Sequence, residues 1–125
     1  MKKIIFMILI VIASNANAIW RFIGEGTGGP YYFDGDTITK EGDIKTVLMM
    51  TNYNSGGSAV SKMEFNCKEE RYTGLNIKNY SEANLGGTLK GEEELKKPNS
   101  PIPSNTVLET LFKFICVKWK EKPWN

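Results

Sequence analysis

The sequence contains few of the side chains that enzymatic or metal chemistry requires. Histidine is absent from all 125 residues, and there are two cysteines. Without histidine, neither a Ser-His-Asp triad nor a Cys-His pair can form, and zinc lacks its usual nitrogen ligand. We therefore predict no nucleophilic active site, no metal site and no cofactor.

Four carboxylates lie close together between predicted strands, at Asp34, Asp36, Glu41 and Asp43. A calcium loop would need the spacing D-x-[DN]-x-[DN]-G, but Ile38 fills the third ligand position and the glycine is misplaced. Two carboxylates are sufficient for glycoside hydrolysis, so a small hydrolase that uses two of them is one functional hypothesis. Because Asp and Gly are typical of turns, we interpret the four as solvated turn residues.

The C-terminal tail has the composition of a binding surface. Residues 118–125 read KWKEKPWN, with two tryptophans among three lysines. This combination can bind anionic polymers, glycans or acidic proteins through charge and cation–π contacts. With two tyrosines added, the candidate ligand-contact surface is Lys118, Trp119, Lys120, Lys122, Trp124, Tyr31 and Tyr32. The alternatives are that Trp119 completes the apolar face of a helix, that the lysines solubilise the chain end, and that the tyrosines pack on the second face of the sheet.

The N-terminus predicts export. Lys2 and Lys3 precede an apolar run over residues 4–13, and Ala16-x-Ala18 is the small-residue pattern that signal peptidase recognises. The run is too short for a transmembrane helix of about 20 residues, which is the argument against an uncleaved anchor. We therefore predict a cleavable signal peptide over 1–18, a single domain over 19–125, and no transmembrane segment after cleavage.

Cleavage also removes the basic balance of the chain. Loss of Lys2 and Lys3 leaves 14 basic and 14 acidic side chains. Overall basicity thus gives no reason to expect a nucleic-acid ligand. In an oxidising compartment, Cys67 and Cys116 are expected to form one disulfide, with free thiols or an intermolecular bridge as the alternatives.

Residue patterns predict a mostly β domain. Residues 19–24 and 31–33 form short strands, separated by a glycine-rich connection that we interpret as mobile or bulged. Residues 44–53 are apolar enough for a central strand. The next segment alternates with period two, which places Cys67 on the core face with Met63 and Phe65.

The later part of the chain predicts two further strands and a helix. Residues 71–80 form a strand with Leu75 and Ile77 on one face and Tyr72 and Tyr80 on the other, and residues 86–90 a weak edge strand. After a proline-rich linker, the capping box at Thr106 begins a helix that ends near Val117. Its apolar face at 3.6-residue spacing is Leu108, Phe112, Ile115 and Cys116.

Cys67 and Cys116 thus both face the core, each from an element predicted independently of the other. The expected fold is α+β, an antiparallel sheet of about five to six strands with a C-terminal α-helix packed on it and joined by one disulfide. A loop of 49 residues closed in this way stabilises the fold by about 4 kcal/mol in the chain-entropy model.

The order of these features resembles the surface-adhesin protein E family of small exported bacterial proteins. The resemblance covers the whole mature chain and is most specific over residues 61–72. The matching motifs are Trp20, Tyr31-Tyr32-Phe33-Asp34, Asp36-Thr37-Ile38, the apolar strand near Val47, Ser61-Lys62, Phe65-x-Cys67-Lys68-x-x-Arg71-Tyr72, and a second Cys after a Pro-Ser linker.

This resemblance implies the same sheet-and-helix fold and adhesion to host cells or extracellular-matrix proteins, and it leaves a homodimer open. No ligand-binding position of the family maps onto a motif here. We expect an exported non-enzymatic binding protein, in the periplasm or on the bacterial cell surface, with a protein or glycan ligand. The alternative is a periplasmic inhibitor or immunity-type protein that binds an envelope enzyme or toxin.

Overall fold

A computed structural model of the protein describes residues 19–95 and 99–118. The predicted signal peptide therefore lies outside the described residues. The elements are β1 (Trp20–Gly26), β2 (Gly29–Glu41), β3 (Ile44–Asn52), β4 (Ser58–Asn66), β5 (Arg71–Glu82), β6 (Gly86–Glu94), β7 (Ser100–Pro101) and helix α1 (Val107–Lys113), which continues into a π-helical turn (Phe114–Lys118). No helix within these ranges is long and apolar enough to cross a membrane.

The strands form one antiparallel sheet in the order β1-β2-β3-β4-β5-β6. β7 and β6 pair with the same side of β5: β7 pairs with its first two residues, and β6 pairs with its second half. From β1 to β6 each strand lies beside its sequence neighbour because the connections between them are short. The turn between β2 and β3 is closed by Gly42, whose φ of 65° favours glycine. This architecture confirms the predicted fold class.

The core lies between one face of the sheet and α1. Register pairs Val47 with Met63 and Phe65 with Tyr72, so these side chains share the helix-facing side. Leu111, Phe112 and Ile115 are buried against them. Aromatic rings join the two layers, with ring centroids 5.0 Å apart for Phe33 and Phe114 and 6.1 Å apart for Phe65 and Phe112.

Two further contacts hold the end of the helix to the sheet. The Cys67–Cys116 disulfide is present, with Cα atoms 5.4 Å apart, which confirms the predicted pairing. The buried Lys45 ammonium donates a hydrogen bond to the Ile115 carbonyl oxygen at 2.9 Å. A cation at this position is favourable because the last carbonyls of a helix carry partial negative charge.

The start of the helix has the predicted Thr106 cap, and Glu109 reaches back as in a capping box, although to the amide of Asn105 instead of Thr106. The Thr106 hydroxyl oxygen accepts a hydrogen bond from the Glu109 amide at 3.3 Å, and the Asn105 amide donates to Glu109 Oε1 at 2.9 Å. The predicted apolar face omitted Leu111, which is fully buried. An α1 side chain at this position faces the same layer as Leu108 and Phe112 because residues three and four apart share a helix face.

The interpretation of Asp34 and Asp36 as turn residues is wrong. β2 runs through both residues as one strand, with an irregular register between Asp34 and Thr39. Asp34 Oδ1 accepts a hydrogen bond from the Asp36 amide at 3.0 Å, and the Thr37 hydroxyl accepts one from the Leu48 amide at 3.1 Å. Side-chain hydrogen bonds therefore replace backbone hydrogen bonds between β2 and β3 that the irregular register leaves out. Asp34 is 4% exposed, which contradicts its interpretation as a solvated turn residue.

The predicted faces of the fifth strand are also corrected. A register shift between Lys62 and Met63 leaves Leu75 without an opposite residue on β4. The extra residue reverses the alternation, so Tyr72 packs on the helix side with Ile77, while Tyr80 lies on the other face. β6 is longer than expected because it includes the three glutamates at its end.

Candidate ligand-binding surfaces

The structure divides the predicted ligand-contact surface. Tyr31 and Tyr32 are consecutive on β2 and point to opposite faces of the sheet. Lys118 is exposed at the far end of the helical segment, just beyond the disulfide. Trp119, Lys120, Lys122 and Trp124 lie outside the described residues. Tyr31, Tyr32 and Lys118 thus belong to three separate surfaces.

Tyr31 lines an open groove of about 850 Å³ between the β1–β2 hairpin and the start of α1. Met49, Val107 and Leu108 give the groove apolar walls. Its polar lining comes from both sides, with Glu25 and Thr27 on the hairpin and Asn105, Thr106, Glu109 and Thr110 at the start of the helix. This volume lies within the range of known ligand sites.

Two glycines on β1 shape this groove. A Cβ at Gly26 would lie 2.2 Å from Cε1 of Tyr31, so the tyrosine ring lies directly over this position. At Gly24, the nearest atom to such a Cβ is Cγ2 of Val107, at 4.0 Å. The predicted glycine-rich connection is thus mostly strand: β1 runs to Gly26, β2 begins at Gly29, and the register of β1 shifts between Phe22 and Gly24, as in a bulge.

The rim of the groove is held by polar contacts. Glu109 accepts the Asn105 hydrogen bond with one oxygen and lies 3.8 Å from Lys113 Nζ with the other. Outside the groove lining, the hydroxyl of Tyr53 donates to Asn79 Oδ1 at 3.3 Å. Burial, and then the neighbouring Tyr31, raise the pKa of Tyr53. Its phenol thus stays protonated and able to donate at neutral pH.

The face opposite α1 carries an apolar row across four adjacent strands. The register aligns Phe22, Tyr32, Met50 and Val60. The rings of Phe22 and Tyr32 meet edge to face, with centroids 5.8 Å apart, and Phe22 is 58% exposed. Towards β6 the same row becomes charged, with Lys78 opposite Glu92. We call this surface the open face.

The four candidate carboxylates do not form a catalytic pair in a cavity. None of them lines the groove or the smaller depression of about 260 Å³ that three threonines and Lys62 line. Among the described residues, no group of three Cys, Asp or Glu side chains could hold a metal ion. The site found in the structure is thus the groove, whose residues other than Tyr31 were not predicted. The sequence pattern that could have indicated the groove is Gly24-x-Gly26, shortly before two consecutive tyrosines.

Comparison with known proteins gives a family match and a fold match. The sequence model of the family described as surface-adhesin protein E matches residues 20–117. No curated protein matches the chain at a significant level.

Solved structures of Haemophilus influenzae protein E resemble the chain. Its selenomethionine form is 19% identical, with a TM-score of 0.65 over 78% of this chain and 87% of that one. Crystal form II is also 19% identical, with a TM-score of 0.64 over 76% and 86%. Protein E from non-typeable H. influenzae is 17% identical, with a TM-score of 0.62 over 82% and 78%. Identities this low show a shared fold and no more.

Proposed function

The chain belongs to the surface-adhesin protein E family, and from this we propose that it is an exported, non-enzymatic binding protein that contacts host cells or extracellular-matrix components. The observation that supports this role most directly is the groove beside Tyr31, which is large, open and mixed in polarity. Residues 1–18 act as the signal peptide, and the mature domain over 19–125 resides on the cell surface. The ligand is a protein or a glycan.

The proposed role is tested with mature protein and a panel of immobilised matrix proteins and matrix glycosaminoglycans. We expect saturable binding to at least one component. The control is the Cys67→Ala, Cys116→Ala double variant, which loses the disulfide attachment of α1 and therefore the stable wall of the groove. Binding that is as strong in this variant as in the wild type would exclude the groove as the site, and the absence of saturable binding of the wild type to any component would refute the adhesin role.

We further propose that two copies associate through the open face. The observation behind this proposal is the exposed ring of Phe22, which lies in line with the half-buried Tyr32 and Val60, whereas Met50 between them is buried. A two-fold dimer would place the same row of each copy against the other. From their composition, with two tryptophans among three lysines, we also propose the tail residues Lys118, Trp119, Lys120, Lys122 and Trp124 as a second ligand-contact surface.

The dimer is tested by sedimentation equilibrium of the mature protein. Phe22→Glu should raise the dissociation constant by at least tenfold, because it places a charge in the apolar row. Val117→Glu makes the same change at an exposed residue of the helical segment and should leave association unaffected. A wild-type protein that stays monomeric at high micromolar concentration would exclude this dimer.

A further inference from the structure

The groove runs beside the free edge of the sheet. Its lining includes four consecutive residues, 24–27, of β1 and the turn that follows. β1 is the first strand of the sheet and pairs with β2 on one side only. An edge strand presents unpaired N–H and C=O groups to any extended chain that approaches it.

The backbone of Glu25 faces this free edge. Glu25 lies opposite Pro30, and proline has no N–H to donate. Antiparallel pairs alternate between hydrogen-bonded and non-hydrogen-bonded types, and the proline requires the second type here. In such a pair the N–H and C=O groups point away from the partner strand. Glu25 therefore offers one donor and one acceptor at the edge of the groove.

Side chains leave this part of the edge accessible. Gly24 has no side chain on the helix side, where Val107 is its nearest neighbour. On the open face, the exposed ring of Phe22 lies three residues before Glu25 on the same strand. An added strand would thus place alternate side chains in the groove and beside Phe22.

The opposite edge of the sheet is protected. All but two of the residues of β6 are exposed, and its second half carries Lys90 and three consecutive glutamates. Charged side chains of this kind are a common means of preventing strand addition. The two edges therefore differ: the described β1 edge has two glycines beside an apolar groove, whereas the β6 edge is mainly charged, with Leu89 as an exposed apolar residue.

We propose that the β1 edge binds an extended segment of the partner protein, which pairs with Glu25 as an added antiparallel strand. Alternate side chains of this segment are apolar, and those on the helix side enter the groove between Tyr31 and Val107. Main-chain hydrogen bonds hold the segment, and the groove selects its side chains. The inference rests on the proposed binding function and specifies its partner as a protein segment rather than a glycan.

A proline substitution separates backbone recognition from side-chain recognition. Glu25→Pro removes the edge N–H, while the hydrogen bonds between β1 and β2 do not use that group. Glu25→Ala is the matched control, since it removes the same side chain and keeps the N–H. Both variants are first compared with the wild type by circular dichroism and thermal unfolding, so that only folded proteins enter the binding assay.

The probe is a phage library of random 12-residue peptides selected on immobilised mature protein. Selected peptides should carry β-branched or aromatic residues at alternate positions and lack proline there. As synthetic peptides they should bind Glu25→Ala within about threefold of the wild type and Glu25→Pro at least tenfold more weakly. In the wild type, binding should slow hydrogen exchange at the Glu25 amide.

Three outcomes would overturn the inference: no peptide is selected, the selected peptides bind Glu25→Pro as tightly as Glu25→Ala, or the Glu25 amide gains no protection. Pairing of β1 with a second copy would also overturn it, and would show as Glu25→Pro abolishing self-association. Because the library contains no matrix component, its result is independent of the matrix panel. The adhesin role and the edge-binding mode can therefore fail separately.

Discussion

Loss of the Cys67–Cys116 bridge is expected to weaken the fold by about 4 kcal/mol. The bridge closes a loop of 49 residues, and the chain-entropy model gives about 4 kcal/mol for a loop of this length. A domain of about 100 residues has a free energy of unfolding of only about 5–15 kcal/mol. The Cys67→Ala, Cys116→Ala variant should therefore fold with a much reduced margin.

Removal of the disulfide should destabilise the helix more than the sheet. α1 has seven residues, and isolated helices shorter than about 12 residues are marginal in water. Without the bridge, Leu111, Phe112 and Ile115 still pack on the sheet, but the end of the segment is held by fewer contacts. Hydrogen exchange should accelerate more over residues 107–118 than over β2, β3 and β4.

Urea unfolding of the mature protein, followed by circular dichroism, measures the effect. With an m value of roughly 1.5 kcal/mol per molar urea, the midpoint should fall by roughly 2–3 M. Wild-type protein in reducing agent should unfold at the same midpoint as the double variant, which controls for the substitutions themselves. A decrease below about 1 kcal/mol in both samples would refute the loop-entropy reasoning.

Three further changes test the core, the helix start and the buried carboxyl group. Phe65→Ala should cost about 3–5 kcal/mol in urea unfolding because Phe65 is fully buried, whereas Val117→Ala, at a residue 65% exposed, should change the stability by less than about 0.5 kcal/mol. Thr106→Ala should cost about 1 kcal/mol through loss of the N-cap, and Thr106→Ser should restore most of it; equal stability of all three proteins would contradict the capping role. Burial raises the pKa of Asp34 above its usual 3.8. The Asp36 amide and Arg21 oppose this rise, and the charge of Asp36 adds to it. The folded state therefore binds the proton more tightly than the unfolded state and loses stability as the pH rises from about 4 through the folded pKa. Asp34→Asn should remove this decrease and be at least as stable as the wild type at pH 7; a variant whose stability falls with pH as in the wild type would show that Asp34 is not the titrating group.

Local patterns were sufficient for the elements that build the core. Strict alternation around Met63 and Phe65 placed Cys67 on the core face, and the Thr106 capping box located the start of the helix. Each cysteine could therefore be oriented from its own element. The disulfide followed from their agreement, and the structure confirms it.

Bulges explain most of the errors. One extra residue reverses the alternation of a strand, and no propensity scale identifies the residue that is extra. The register shift opposite Leu75 reversed the expected face of Tyr72 in this way. At Asp34, turn-forming residues instead provide side-chain hydrogen bonds within a continuous strand.

The candidate site was only partly predictable, because it joins segments distant in sequence. Tyr31 was identified by its residue type, but its groove also needs Met49 from β3 and Val107 from α1. Tyr32 was grouped with Tyr31 although a strand directs consecutive side chains to opposite faces. That alternation alone is sufficient to assign the two tyrosines to different surfaces.

Protease accessibility on intact cells tests the central claim, that this is an exported surface adhesin, most directly. Added protease should degrade the mature protein while a periplasmic control protein in the same cells stays protected. Full protection of both proteins would contradict surface exposure. It would instead place the chain in the periplasm, where an inhibitor of an envelope enzyme or toxin is the role to test.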